Sequence, residues 1–250
     1  MRGKGDVVLH FIFPDSGHLF AAAADTVIQA AERSIRNRGI FTFVLSGGKT
    51  SRRLYELLSS PPLVSQMPWN RTHFFWGDER CVLPDDHESN YHMAMETLLS
   101  HALVPLENIH RIHAEKKPSE SARNYEHFLR NFFLVQKKNK PYYFPSFDCI
   151  LLGMGVEGHT ASLFPGSSAL CENERWVVPV RAPEGIFPSY RITLTLPVIN
   201  QAELVLFLVT GEEKKETAGR VLFDSGARDT LPAAMVRPAG ELKWYLDFKI

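Results

Sequence analysis

The chain reads as an α/β protein: a mainly parallel sheet covered by helices on both faces. Three features of its 250 residues predict this. Short β-prone runs alternate with longer stretches of helical periodicity. Several runs, Phe41–Leu45 and Leu204–Val209 among them, are apolar at nearly every position, which suits strands buried on both faces. Polar, glycine-bearing clusters follow four of the runs directly, as they do where ligands bind beyond the carboxyl ends of parallel strands.

Taken in order, Asp15-Ser16-Gly17 precedes an alanine-rich stretch, residues 19–35, with helical spacing, and Asp15 or Ser16 is placed to cap it. Phe41–Leu45 is a strand ended by Ser46-Gly47-Gly48. Residues 50–58 resume helical periodicity, with Leu54, Leu57 and Leu58 on one face. Thr72–Trp76 is a strand stopped by Gly77-Asp78. Residues 89–103 and 119–135 read as helices, and 137–145 as a charged, proline-bearing surface loop. Residues 147–152 form a strand that stops at three closely spaced glycines, Gly153, Gly155 and Gly158, with His159 at a point where a helix can begin. Residues 176–180, Tyr190–Leu194, Leu204–Val209 and 242–246 complete the strands, and 212–222 is a helix with Gly219 as its weak point. With no repeat and no convincing linker, residues 1–250 are expected to form one domain.

Lys+Arg and Asp+Glu balance at 28 each, which argues against non-specific binding to nucleic acid or anionic membranes. Cys81, Cys149 and Cys171 are scattered, without zinc-type spacing, and fit a reducing compartment. Residues 1–10 lack a secretory apolar core and no run reaches membrane-spanning length, so a cytoplasmic protein is expected.

The four rim clusters carry the chemistry. Ser46-Gly47-Gly48-Lys49-Thr50-Ser51 links a strand to a helix, where exposed N–H groups and the helix dipole attract phosphate. It is neither a Walker loop nor a dinucleotide fingerprint, so a monophosphate is the better fit. Asp78-Glu79-Arg80 sets three charges at a strand end: Arg80 to bind carboxylate or an oxyanion, Asp78 or Glu79 to orient it or to hold the histidine. Ser89-Asn90-Tyr91 caps the next helix. His159 supplies a base, since an unperturbed imidazole ionises at about 6.5. Ser46 and Ser162 lack the nucleophile-elbow pattern. The other histidines, His10, His73, His110 and His113 among them, show no metal-ligand spacing and read as surface or core residues. Arg191 and Lys214 are cations within reach of a phosphate on the rim, whereas Lys215 reads as an exposed charge.

Together these clusters resemble the 6-phosphogluconolactonase family nearly end to end. The resemblance rests on Leu45-Ser46-Gly47-Gly48, Gly77-Asp78-Glu79-Arg80, Ser89-Asn90-Tyr91, Leu152-Gly153-Met154-Gly155, the long string from Gly158-His159-Thr160 through Phe164-Pro165-Gly166, Arg191-Ile192-Thr193-Leu194-Thr195, Val209-Thr210-Gly211 with Lys214, and Leu231-Pro232-Ala233. It implies a Rossmann-like fold shared with glucosamine-6-phosphate deaminases and a metal-free hydrolysis of a sugar-phosphate lactone; no cofactor is called for, and a monomer is expected. His159 would activate water, Arg80 would face the reacting carboxyl end with Asp78 beside it, and Arg191, Lys214 and the Gly47–Gly48 backbone would hold the phosphate, next to Ser46; Lys49, a residue the family pattern lacks, either strengthens phosphate binding or points outward. Gly153, Gly155 and Gly158 would shape the substrate-binding turn. The chain departs from the family where Lys49-Thr50-Ser51 replaces Ser-Thr-Pro, where Glu157 replaces the frequent aspartate, and where Pro84 falls one place late. Two alternatives remain: an amino-sugar-phosphate deaminase or isomerase using Asp78 and His159, and a non-catalytic sugar-phosphate sensor.

Overall fold

The computed structural model describes residues 9–136 and 144–250. Most of the loop expected over 137–145, and most of the N-terminal stretch read as lacking a signal, lie outside the described residues.

Six parallel strands form the main sheet: β1 (Leu9–Ile12), β2 (Phe41–Leu45), β3 (Thr72–Trp76), β5 (Cys149–Leu152), β8 (Leu204–Val209) and β9 (Glu241–Leu246), in the order β1-β9-β8-β5-β2-β3. Every residue of β2, β5 and β8 is buried, as a sheet covered on both faces requires. Phe207 and Trp244 stack across β8 and β9 at 3.8 Å, and burying side chains of this size contributes about 1.5–3 kcal/mol each. From β2 the chain moves outward to β3, then returns to the other side of β2 for β5 and continues away through β8 and β9. The strand order therefore reverses between β2 and β5, and a crevice opens beyond their carboxyl ends.

A second sheet was not foreseen. β4 (Asp78–Arg80), β6 (Val177–Arg181) and β7 (Tyr190–Leu194) pair antiparallel in the order β4-β7-β6. It sits beside the carboxyl end of β3, since Leu194 N–H donates to the Gly77 carbonyl at 2.8 Å.

Local chemistry explains the helices. α1 (Ser16–Arg38) is capped by Asp15, whose carboxylate accepts His18 N–H at 2.9 Å, and ends at Gly39 in the left-handed region, φ 83°. Its Leu19, Ala23, Val27, Ala30 and Ala31 are buried, and the alanines permit close approach to the sheet. α2 (Lys49–Leu58) and α4 (Pro118–Gln136) match their expected spans closely. The helix expected over 89–103 is shorter: α3 (Asn90–Ala94) passes into a π-turn, Met95–Leu99, and Leu103 has φ 51°. The Thr97 hydroxyl donates to the Met93 carbonyl at 2.7 Å and Ser100 N–H reaches Met95 at 3.2 Å, which loosens the α-helical ladder there. Short helices α5 (Leu196–Ile199) and α7 (Pro232–Met235) were also unforeseen. α6 (Lys215–Phe223) tolerates Gly219, which packs against Ile250. Among the described residues no helix is long and apolar enough to cross a membrane.

Candidate active site

The crevice at the strand-order reversal holds a cavity of about 440 Å³. It is lined by residues from all four rim clusters, including Ser46–Ser51, Asp78, Arg80, Gly153–Glu157, His159, Arg191 and Lys214. Of the residues expected to bind ligand, only Gly158 does not line it: Gly158 is buried under Leu231 and Thr217 with φ 87°, and so shapes the turn from behind. Lys49, Arg80, Arg191 and Lys214 bring four positive charges against the carboxylates of Asp78 and Glu157. The cavity therefore carries excess positive charge although the chain as a whole is neutral.

One wall is the start of α2. Tyr55 clamps the strand end, its hydroxyl accepting Ser46 N–H at 2.9 Å and donating to the Ser46 carbonyl at 2.8 Å. Gly48, with φ 92°, then turns the chain into the helix, and the first amides of α2 have no partner within it. Thr50 Oγ1 meets Thr210 Oγ1 at 2.8 Å, which ties this loop to the end of β8. Lys214 projects from the short turn Glu212–Lys214, and its half-burial lowers its pKa.

The small sheet makes the opposite wall. Strand alternation puts Asp78 and Arg80 on one face of β4, and the register sets Arg80 opposite Arg191 and Asp78 opposite Thr193. Arg80 Nη1 is fixed by the Glu88 carbonyl at 2.6 Å. The same alternation sends Glu79 to the other side, where it accepts N–H from Arg80, Asn90 and Tyr91 at 2.7–2.8 Å and the Ser89 hydroxyl at 3.2 Å. Glu79 thus caps α3 and does not face the cavity. Burial pushes its carboxyl up to about 7 despite those bonds. The folded protein then holds this proton more tightly than the unfolded chain, so the stabilisation is complete below about 4.5 and is lost as pH rises through about 7. Denaturant titrations across that range should show stability falling with pH, and Glu79→Gln should flatten the slope. An unchanged slope in the variant assigns the proton elsewhere.

The β5 loop carries the base. His159 lies in an irregular turn rather than at a helix start: Gly155 N–H donates to its carbonyl at 2.9 Å, and the Thr160 hydroxyl donates to the Gly153 carbonyl at 2.8 Å. The Thr160 hydroxyl beside the histidine thus serves the loop's own backbone, which competes with helix formation. A Cβ on Gly155 would overlap the imidazole, which explains the glycine. The ring packs on Phe164 at 5.0 Å, and the Arg191 guanidinium lies over the same phenyl at 5.7 Å. Neither Asp78 nor Glu79 holds the histidine: Nδ1 meets Glu157 Oε1 at 2.7 Å. Asp78 is occupied elsewhere, accepting the Ser162 hydroxyl at 2.5 Å and Asn90 Nδ2 at 3.3 Å. Ser162 is fully buried, away from any nucleophilic role.

Sequence reasoning missed Glu157 as partner and Asn90 as a cavity residue. The first had a signal, a carboxylate two places before the histidine in a glycine-rich turn. Outside the site, His73 and His110 stack at 3.0 Å between ring nitrogens, and burial lowers His110 to about 4. Among the described residues no three His, Cys, Asp or Glu side chains stand where they could hold a metal ion.

The chain matches the family described as glucosamine-6-phosphate isomerases/6-phosphogluconolactonase over residues 14–244. It is 38% identical over 237 residues to a 6-phosphogluconolactonase of Nostoc sp., covering 94% of each chain. It is 41% identical over 216 residues to one of Synechocystis sp., covering 86% of this chain and 85% of the other. Among solved structures, a 6-phosphogluconolactonase from Trypanosoma cruzi superposes with a TM-score of 0.85 at 28% identity, over 98% of this chain and 96% of that one.

Proposed function

This chain belongs to the glucosamine-6-phosphate isomerase/6-phosphogluconolactonase family, and on that premise we propose that it hydrolyses 6-phospho-D-glucono-1,5-lactone to 6-phospho-D-gluconate in the oxidative pentose phosphate pathway. The observation that carries the reading is the company His159 keeps: an imidazole fixed at Nδ1 shares one cavity with four cations drawn from distant parts of the chain.

Nδ1–H donates to Glu157, which leaves Nε2 with a lone pair for proton abstraction. Water attacks C1 as Nε2 takes its proton. The tetrahedral oxyanion is held by Arg80 and loop N–H groups. The imidazolium then returns the proton to the ring oxygen as the C1–O bond breaks. The Gly47-Gly48 backbone, the first turn of α2, Lys214 and Arg191 hold the phosphate, with Lys49 at the mouth, so binding energy far from C1 orients the lactone. All of these groups belong to one chain, so the reading needs no partner subunit. The three cysteines are unpaired, in keeping with a reducing compartment such as the cytoplasm.

The deaminase alternative needs a carboxylate free to act over C2. Asp78 is buried and already bonded to Ser162 and Asn90, which favours the lactonase. A pH-stat assay on freshly generated lactone should record one acid equivalent per substrate above the spontaneous rate, and glucosamine 6-phosphate should yield no ammonia. Ammonia without acid release would replace this reading with the deaminase, and binding without turnover would replace it with the sensor.

Glu157 supports the base rather than touching substrate. A hydrogen bond to a charged group is worth about 1.5 kcal/mol at the lower end, so Glu157→Ala should lower kcat about tenfold with KM nearly constant. A variant with full kcat would show that Phe164 packing alone orients the ring.

A further inference from the structure

The two glycines of the phosphate loop are glycines for different reasons. Gly48 has φ 92°, a conformation that side chains disfavour, and open space beside it. Gly47 has no such backbone constraint. The three atoms nearest to a Cβ built on it are Oδ1, Cγ and Nδ2 of Asn90, all close enough to overlap. Asn90 lies 2% exposed in the cavity wall, at the start of α3. Its Nδ2 donates to the Asp78 carbonyl at 2.9 Å and to the Asp78 carboxylate at 3.3 Å, which fixes the carboxamide orientation. Its Oδ1 is buried, accepts no hydrogen bond among the described residues, and stands where a Cβ on Gly47 would project.

We infer that Asn90 is a positioning residue for phosphate binding: its carboxamide braces the Gly47 backbone against Asp78, and Gly47 is a glycine to admit that brace, not to admit the ligand. This rests on the assignment of the Gly47-Gly48 loop to the phosphate. Asn90 thereby joins the phosphate loop of the main sheet to the small sheet that carries Arg80 and Arg191.

The test is a set of double mutants, assayed on the phosphorylated lactone and on unphosphorylated glucono-1,5-lactone. Displacing a binding loop by about 1 Å can cost about 100-fold. Gly47→Ala should therefore raise KM for the phosphorylated lactone by about 100-fold, and Asn90→Ala by about tenfold, with kcat changed far less. In Gly47→Ala/Asn90→Ala the obstacle is gone, so KM should fall back to that of Asn90→Ala alone. Gly48→Ala serves as control, because its strain is independent of Asn90 and its effect should multiply with Asn90→Ala. On the unphosphorylated lactone each variant should lose less than on the phosphorylated one, whereas general structural damage would lower both alike. Asn90→Ser, which keeps a hydroxyl near Asp78, should give the same suppression and stands in should Asn90→Ala fail to fold. Multiplicative losses in Gly47→Ala/Asn90→Ala overturn the inference. A wild-type chain that handles both lactones equally overturns the phosphate assignment, and one inactive on both overturns the lactonase reading. Either result removes the premise and is recognisable without any variant.

Discussion

His159→Ala is expected to lower kcat on the phosphorylated lactone by about 10²–10⁴-fold, the usual worth of a positioned general base, with KM nearly unchanged. The split follows from geometry. The imidazole is held by Glu157 and Phe164, whereas the α2 loop, Lys214 and Arg191, proposed to hold the phosphate, line other parts of the cavity, so truncating the ring should remove proton transfer and leave the anchor in place. The side chain is 27% exposed, so its loss opens little enclosed space and the fold should persist. The comparison is made above the spontaneous rate, because the lactone also opens unaided. Retention of full kcat would remove His159 from the chemistry.

Arg80→Ala is expected to cost about 10²–10³-fold in kcat, the usual loss when one oxyanion donor is removed. Arg80 is fixed by the Glu88 carbonyl and stands in register with Arg191, so its charge is placed in advance of the reaction. Arg80→Lys should recover only part of the loss, since an ammonium cannot reproduce the planar guanidinium fork. A rise in KM with kcat preserved would place Arg80 at the phosphate instead, and would exchange its role with that of Arg191.

Much of this site is legible in the sequence because parallel strands declare themselves twice, by an apolar run and by the glycine or charge that ends it. β2, β3 and β8 are read to the residue for that reason, and the loops after β2, β3, β5 and β8 are found with them. What escapes is set by tertiary pairing. β1 is an edge strand exposed at every position, so burial leaves no pattern in Leu9–Ile12. β4 is Asp-Glu-Arg, a composition depleted in strands, and only its pairing with β7 makes it one. Reading those three residues as a loop made Asp78 and Glu79 equal candidates to hold His159. Once they form a strand, alternation separates them: Glu79 turns to the α3 start and Asp78 to Ser162. The imidazole is left to Glu157, two residues away in its own turn. Asn90 reads as an ordinary capping segment until the fold carries it against Gly47.

One ligand is expected to span from the α2 loop to His159. A crystal structure of the chain with 6-phospho-D-gluconate tests it most directly. The phosphate should lie against the Gly47-Gly48 backbone and Lys214, with the C1 carboxylate within hydrogen-bond distance of His159 Nε2 and Arg80. A phosphate seated beside His159, or a ligand bound outside this cavity, would contradict it.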